Sequence, residues 1–349
     1  MTFTIAIQPD EVIFPNGLRQ SFSDRWIAKA RELGHEVRIV DVYRNDIIEH
    51  LRECDGFMWR FPHAPFPRLF AKRLLAVAEK GLGLVVFPDW NTAWHYDDKV
   101  AQRYLLEAAG IPIPKTWVFW KREDALNFCR SAKYPLVIKL AGGASSQNVR
   151  LLKDSTEAEY WINQLFYSGV FSLERPTSTN LREIAKRLRP SARLLLKDRH
   201  PNPGYFFELQ KSYLMVQEFI PDNPYDTRIA VIGNRAFGLR RFNRPNDFRA
   251  SGSGNWDYDP DKVDLQAVRL GLRVAARLGM HTIFMDVLKR GEERLVTEIS
   301  YTAPSQQFPG YWELCGRELV WRAEPIWCED AQIQDFIARL KSRKKASIS

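Results

Sequence analysis

Apolar positions along the first ninety residues switch repeatedly between two periods. Thr4–Gln8 is a short apolar run, and Ser21–Leu33 has helical spacing through Phe22, Trp26, Ile27, Ala30 and Leu33 before Gly34 stops it. Glu36–Val42 reads as a strand, Gly56–Phe61 as another closed by Pro62, Pro67–Glu79 as a helix, and Leu84–Pro88 as a short buried strand. Strands alternating with helices predict a parallel sheet covered on both faces. The spacing therefore predicts a small Rossmann-like domain over residues 1–92. Pro9–Gly17 holds a single glycine, so a dinucleotide fingerprint is absent.

Beyond Tyr96 the pattern predicts a helix over Asp97–Ala109, an extended link at Ile111–Pro114, a strand at Thr116–Trp120 and a helix at Glu123–Ala132. Leu136–Ala141 and Val149–Lys153 read as a hairpin around the small-residue loop Gly142–Ser146. Tyr213–Ile220 is an apolar strand. Thr227–Gly233 and Arg235–Phe242 pair around Gly233-Asn234, and Asp264–Leu278 is an amphipathic helix ending at Gly279. Thr282–Lys289 pairs with Arg294–Tyr301 around Gly291. Ala331–Arg343 is a last helix, and 342–349 is expected to be a disordered basic tail.

The chain has 349 residues, 45% hydrophobic and 27% charged, which suits two or three packed units. Cys54, Cys129, Cys315 and Cys328 form no CxxC and no Cys/His cluster. They read as buried free thiols of a reducing compartment. With no signal peptide and no apolar run of membrane length, the expected location is cytoplasmic. The formal net charge is +9, and residues 182–199 alone carry net +5, within an irregular basic insert near 168–210. This charge admits nucleic acid, an anionic membrane face or an anionic small substrate. No nucleic-acid-binding motif accompanies it, so nucleic acid is disfavoured.

Three constellations carry candidate chemistry. Lys139 is a mid-strand lysine just before Gly142–Ser146. Alone it suits an edge lysine reaching solvent; with the loop it suits anion binding, backbone N–H groups cradling phosphate while the ammonium supplies charge. Asp286, Glu298 and Ser300 fall on neighbouring strands, either as an oxygen-ligand magnesium site or as strand-edge acids. Val216–Ile220 followed by Asp222 and Asp226 suits an adenine slot with a ribose-binding carboxylate, or a plain strand and turn. Arg228, Arg240, Arg244 and Arg249 surround the Gly/Ser loop after it and suit phosphate or carboxylate recognition, or a solvated basic face.

In order, DDKVAQRYLLEAAGIPIPKT, LVIKLAGGASSQNV, LMVQEFI, DTRIAVIG, DFRASGSG, MDVL and VTEIS resemble the ATP-grasp superfamily, and within it the RimK-like and glutathione synthetase-like carboxylate–amine ligases. The resemblance spans about residues 90–305. It implies an α/β (α+β) ATP-grasp fold: the Rossmann-like domain, a small subdomain over 93–220 carrying the insert, and a C-terminal subdomain with the metal site over 221–349, nucleotide lying between the last two. It implies ATP and magnesium as cofactors. Lys99 and Lys139 would contact the phosphates, and Gly142, Gly143, Ser145 and Ser146 would fold over them. Gln217, Glu218, Phe219 and Ile220 would form the adenine hinge, and Asp222 or Asp226 would meet the ribose. Asp286 and Glu298 would hold magnesium with Ser300, where the family usually has asparagine. Arg249 would stabilise the transferring centre, so Arg249 and Lys139 are the catalytic candidates.

The expected activity is an ATP-dependent ligase acting through an acyl phosphate on an anionic small molecule or peptide. The alternatives are a kinase phosphorylating a sugar or polyol hydroxyl and a non-enzymatic polyanion-binding protein. A homodimer is left open.

Overall fold

The computed structural model describes residues 1–10, 12–13, 19–143, 148–171 and 208–346. Three sheets organise them. The first contains β1 (Thr4–Gln8), β2 (Glu36–Ile39), β3 (Gly56–Trp59) and β4 (Val85–Phe87), in the order β2-β1-β3-β4. All its pairings are parallel, as the alternating pattern predicts. Helices α1 (Ser23–Glu32), α2 (Ile47–Arg52) and α3 (Pro65–Ala76) supply the crossovers. Helix α4 (Lys99–Ala108) follows, its start fixed by the Asp98 carboxylate accepting the Ala101 N–H at 2.9 Å.

The second sheet holds β5 (Thr116–Phe119), β6 (Leu136–Lys139), β7 (Val149–Leu152) and β8 (Leu214–Glu218), in the antiparallel order β5-β8-β6-β7. Helices α5 (Arg122–Ser131) and α6 (Ser155–Asn163) cover one face. Leu136 and Ile138 point into that core, so Val137 and Lys139 point to the other side. Of the basic insert, Val170–Phe171 pairs with Leu209–Gln210; the charged 182–199 segment lies outside the described residues.

The third sheet runs β12-β11-β9-β10-β13-β14, formed by β9 (Tyr225–Ile232), β10 (Arg235–Phe242), β11 (Thr282–Arg290), β12 (Glu293–Ser300), β13 (Tyr311–Cys315) and β14 (Glu318–Arg322). The β9–β10 turn falls at Gly233-Asn234, as expected. Helix α7 (Leu265–Leu278) packs on one face against Ile229, Val231, Ile283 and Met285. It ends where Gly279 adopts φ +62°, a left-handed conformation that glycine takes without steric cost.

The last helix, α8 (Cys328–Ala346), departs from expectation twice. It continues through Ala346, so 342–346 is helix and not a disordered tail. It also returns to the first sheet: Ile333, Phe336, Ile337 and Leu340 belong to the same core as Ile5, Phe57 and Val86. Trp26 Nε1 donates to Gln332 at 3.1 Å, and Arg25 pairs with Asp330 at 2.7 Å. Gly56 permits this approach, since a Cβ there would stand 2.6 Å from the Phe336 ring. Phe336→Ala is expected to cost about 3–5 kcal/mol in denaturant unfolding. A loss under about 1 kcal/mol would show that α8 only rests on the surface.

Cys54, Cys129 and Cys328 are buried free thiols; Cys315 is exposed, contrary to the expectation for all four. Among the described residues no helix is long and apolar enough to cross a membrane.

Candidate nucleotide site

Between the second and third sheets lies a cavity of about 400 Å³. The second sheet contributes Lys139, Gln217 and the hinge Glu218–Ile220; the third contributes Asp226, Asp286 and Glu298; the loop after β10 contributes Arg249. Residues far apart in sequence thus share one hollow.

Lys139 ends β6 on the face away from the α5/α6 core. It is 8% exposed, and among the described residues its ammonium donates no hydrogen bond. Burial pushes its pKa down to about 8, with Lys99 adding to the effect and Glu298 and Asp286 opposing it. A shielded cation facing a cavity is a place prepared for an anion. Lys99 is buried nearby; its ammonium donates to the Gly143 carbonyl at 2.8 Å and lies 3.4 Å from Glu298. The base of the small-residue loop is tied further: Gly143 N–H donates to Asp97 at 2.9 Å, and Arg68 of α3 donates to that same carboxylate at 2.6 Å. Gly142 lies beside these groups, whereas Ser145 and Ser146 lie outside the described residues.

The third sheet carries a charged row across four strands, set by register. Asp226 on β9 stands opposite Arg241 on β10, Arg228 opposite Asp286 on β11, and Asp286 opposite Glu298 on β12. Arg241 binds Asp226 through two bonds of 2.6 and 3.0 Å and reaches Asp286 at 2.6 Å. Arg228 binds Asp286 at 2.9 and 3.2 Å. Burial alone would raise the Asp286 pKa, yet the two guanidiniums hold it well below the usual carboxylate range. Asp226 moves the other way, raised by burial and by the charge of Asp286. Arg241 was not among the sequence candidates, although it is the buried centre of the row.

Other expected residues have different partners. Glu218 is committed to the backbone: it accepts from Lys115 N–H at 2.7 Å and pairs with Arg290 at 2.6 Å. It therefore ties the hinge to the link before β5 and to the β11–β12 hairpin. Phe219 meets Phe248 edge-on at 5.7 Å, walling the cavity beside the hinge. Arg249 is gripped by Asp247 and donates to the Val149 carbonyl at 3.2 Å, so it spans the two sheets. Ser300 is not among the residues lining the cavity; its hydroxyl donates to the Thr302 carbonyl at 2.7 Å. Of the expected metal ligands, Asp286 and Glu298 share the cavity, and Ser300 is directed elsewhere. Among the described residues no group of three or more His, Cys, Asp or Glu side chains is arranged to hold a metal.

This geometry suits a polyphosphate ester. The hinge and two aromatic rings offer a slot for a flat base, and two lysines and an arginine offer charge for phosphates. Of the two carboxylates in the register pair, Glu298 offers oxygen donors of the kind magnesium takes, whereas both oxygens of Asp286 accept from guanidiniums.

No protein-family model matches the chain. It is 24% identical over 275 residues to the alpha-aminoadipate–LysW ligase LysX of Sulfurisphaera tokodaii, covering 76% of this chain and 80% of that protein. The structure of N5-carboxyaminoimidazole ribonucleotide synthetase from Thermotoga maritima superimposes with a TM-score of 0.54 at 13% identity, over 86% of this chain and 68% of that one. The ATP-grasp ligase PsnB, complexed with minimal precursor, Mg and ADP, superimposes with a TM-score of 0.53 at 15% identity, over 97% of this chain and 98% of that one. The chain therefore has the fold of these two proteins, of which PsnB is an ATP-grasp ligase.

Proposed function

We propose that the protein is an ATP-dependent carboxylate–amine ligase working through an acyl phosphate. The observation that carries this reading is the single cavity onto which Lys139, the hinge, Arg249 and Glu298 converge. Similarity to LysX, a ligase by name, supports it, as does the likeness in fold to PsnB.

In this reading a carboxylate oxygen bonds to the γ-phosphorus of ATP and ADP departs. An amine then attacks the acyl carbon, loses a proton, and inorganic phosphate leaves. The protein has to hold reactants in line and neutralise charge. Gln217–Ile220 receive the adenine, with Phe219 and Phe248 at its edge. Asp222, which lines the cavity, serves the ribose better than Asp226, whose carboxylate Arg241 already occupies. Lys139 and Lys99 take phosphate oxygens, and Arg249 steadies the transferring centre. Glu298 is the carboxylate that would hold magnesium, since both oxygens of Asp286 already accept from Arg228 and Arg241; when bound, the ion screens the phosphate charges.

A net charge of +9 favours an anionic small molecule or peptide as substrate. Buried free thiols suit a cytoplasmic enzyme. The test is hydroxamate formation from a panel of carboxylates with ATP, magnesium and hydroxylamine. One carboxylate is expected to give hydroxamate and stoichiometric ADP. ATP turnover with a phosphorylated hydroxyl product, and no hydroxamate, would overturn the ligase in favour of a kinase.

A further inference from the structure

The first sheet changes its winding direction between β1 and β3, since β2 lies on one side of β1 and β3 on the other. In open parallel sheets the crevice at the carboxyl ends of such strands receives ligands. Two charged residues stand there, Asp10 just beyond β1 and Arg60 directly after β3. Asp10 is already employed at the start of α1, accepting the N–H groups of Phe22 at 3.1 Å and Ser23 at 2.8 Å. Arg60 is less well served. Its Nε donates to Thr302 Oγ1 at 3.0 Å, and its Nη1 reaches Asp10 only at 3.4 Å. The guanidinium lies 4.4 Å over the Phe22 ring, and its side chain is 14% exposed. Among the described residues Nη2 has no partner. So shielded a cation with one long, shared carboxylate contact is under-neutralised. Its open edge is preset for a second carboxylate.

Thr302 connects Arg60 to the strand that carries Glu298. Thr302 follows β12 in a turn closed by Ser300, whose hydroxyl accepts from Thr302 N–H at 3.1 Å while donating to its carbonyl. Glu298, in the cavity, precedes Thr302 by a stretch of chain spanning at most about 13 Å at the rise of an extended strand. Arg60 is therefore linked, through Thr302, to the strand that brings Glu298 into the cavity.

We propose that Arg60 anchors the carboxylate of the amine-bearing substrate, an α-amino acid, while its amino group reaches toward the acyl centre. This rests on the ligase reading. The carboxylate to be activated must lie against the phosphates, so the amine enters from the other side, and its charged tail falls at the switch point. Ser300 then shapes the turn that offers Thr302 to Arg60.

The test is thermal stabilisation of the full chain, saturated with MgADP, by each of the twenty L-amino acids and by the corresponding α-amides. At least one acid is expected to stabilise the wild type and its amide not to. Arg60→Met is expected to weaken that binding roughly 10- to 100-fold while leaving stabilisation by MgADP intact. Equal stabilisation by acid and amide, none by any acid, or an undiminished effect in Arg60→Met overturns the assignment. Should Arg60→Met not fold, Arg60→Lys decides: it keeps the charge but loses the fork, so weaker binding supports the anchor and unchanged binding overturns it. Hydroxamate formation separates the two readings, because hydroxylamine has no carboxylate. A wild type that forms none overturns the ligase, and the acid-against-amide comparison still decides Arg60.

Discussion

Asp286→Asn is expected to lower folding stability by about 3–5 kcal/mol, the range for removing one partner from a buried ion pair. Asp286 is 7% exposed and takes hydrogen bonds from two guanidiniums at once. Asparagine accepts through one oxygen only and cancels no charge, so Arg228 and Arg241 would share the single remaining carboxylate of Asp226. Urea unfolding at pH 7 measures the loss, with an unchanged denaturant slope marking a change of stability alone. Because the native pKa of Asp286 is depressed, its contribution is complete above about pH 4 and fades as pH falls toward the native value. A loss below about 1 kcal/mol would show that the row tolerates its central charge being removed.

Lys139→Met is expected to change stability and binding in opposite directions. The wild-type ammonium is buried and, among the described residues, donates no hydrogen bond, and its pKa is pushed down to about 8 from 10.5. A lysine that binds its proton less tightly when folded destabilises the fold wherever that proton is present, which is below about pH 8. Methionine of similar length removes the penalty, so the ligand-free variant is expected to be about 3 kcal/mol more stable at pH 7. The gain should shrink as pH rises from about 8 toward 10.5, where the folded wild type sheds the proton too. Affinity for MgATP should fall roughly 10- to 100-fold with the lost charge-assisted bond. In the wild type that affinity should decline above about pH 8. Calorimetry and thermal unfolding over this pH range provide both readouts. A variant that is no more stable and binds MgATP as before would remove Lys139 from the site.

Lys139 was legible because alternation places it opposite two core residues and next to a run of small residues. The β9–β10 turn at Gly233-Asn234 was legible too, and with it the register: a turn there sets Asp226 against Arg241. Arg241 was nonetheless missed, since it follows Arg240 directly and neighbouring arginines read as one basic patch. Alternation separates them: Arg241 shares a face with Phe237 and Leu239, whereas Arg240 pairs with Asp257. Ser300 was read by strand parity as a metal neighbour, but a turn immediately beyond β12 redirects its hydroxyl. Arg60 gave no signal, because its meaning depends on which strands adjoin and on Thr302, a residue far along the chain. The destination of α8 was equally hidden: its apolar positions show that it packs, not against what.

That destination has a consequence for biosynthesis. A ribosome delivers the first sheet well before α8. At roughly 5–20 residues per second, Phe57 and Val86 wait on the order of 10–50 s before Phe336 and Leu340 exist to cover them. Throughout that interval the nascent chain presents an apolar groove of its own making. Synthesis of α8 therefore acts as the closing step of this core, and premature termination anywhere before α8 leaves the first sheet unfinished.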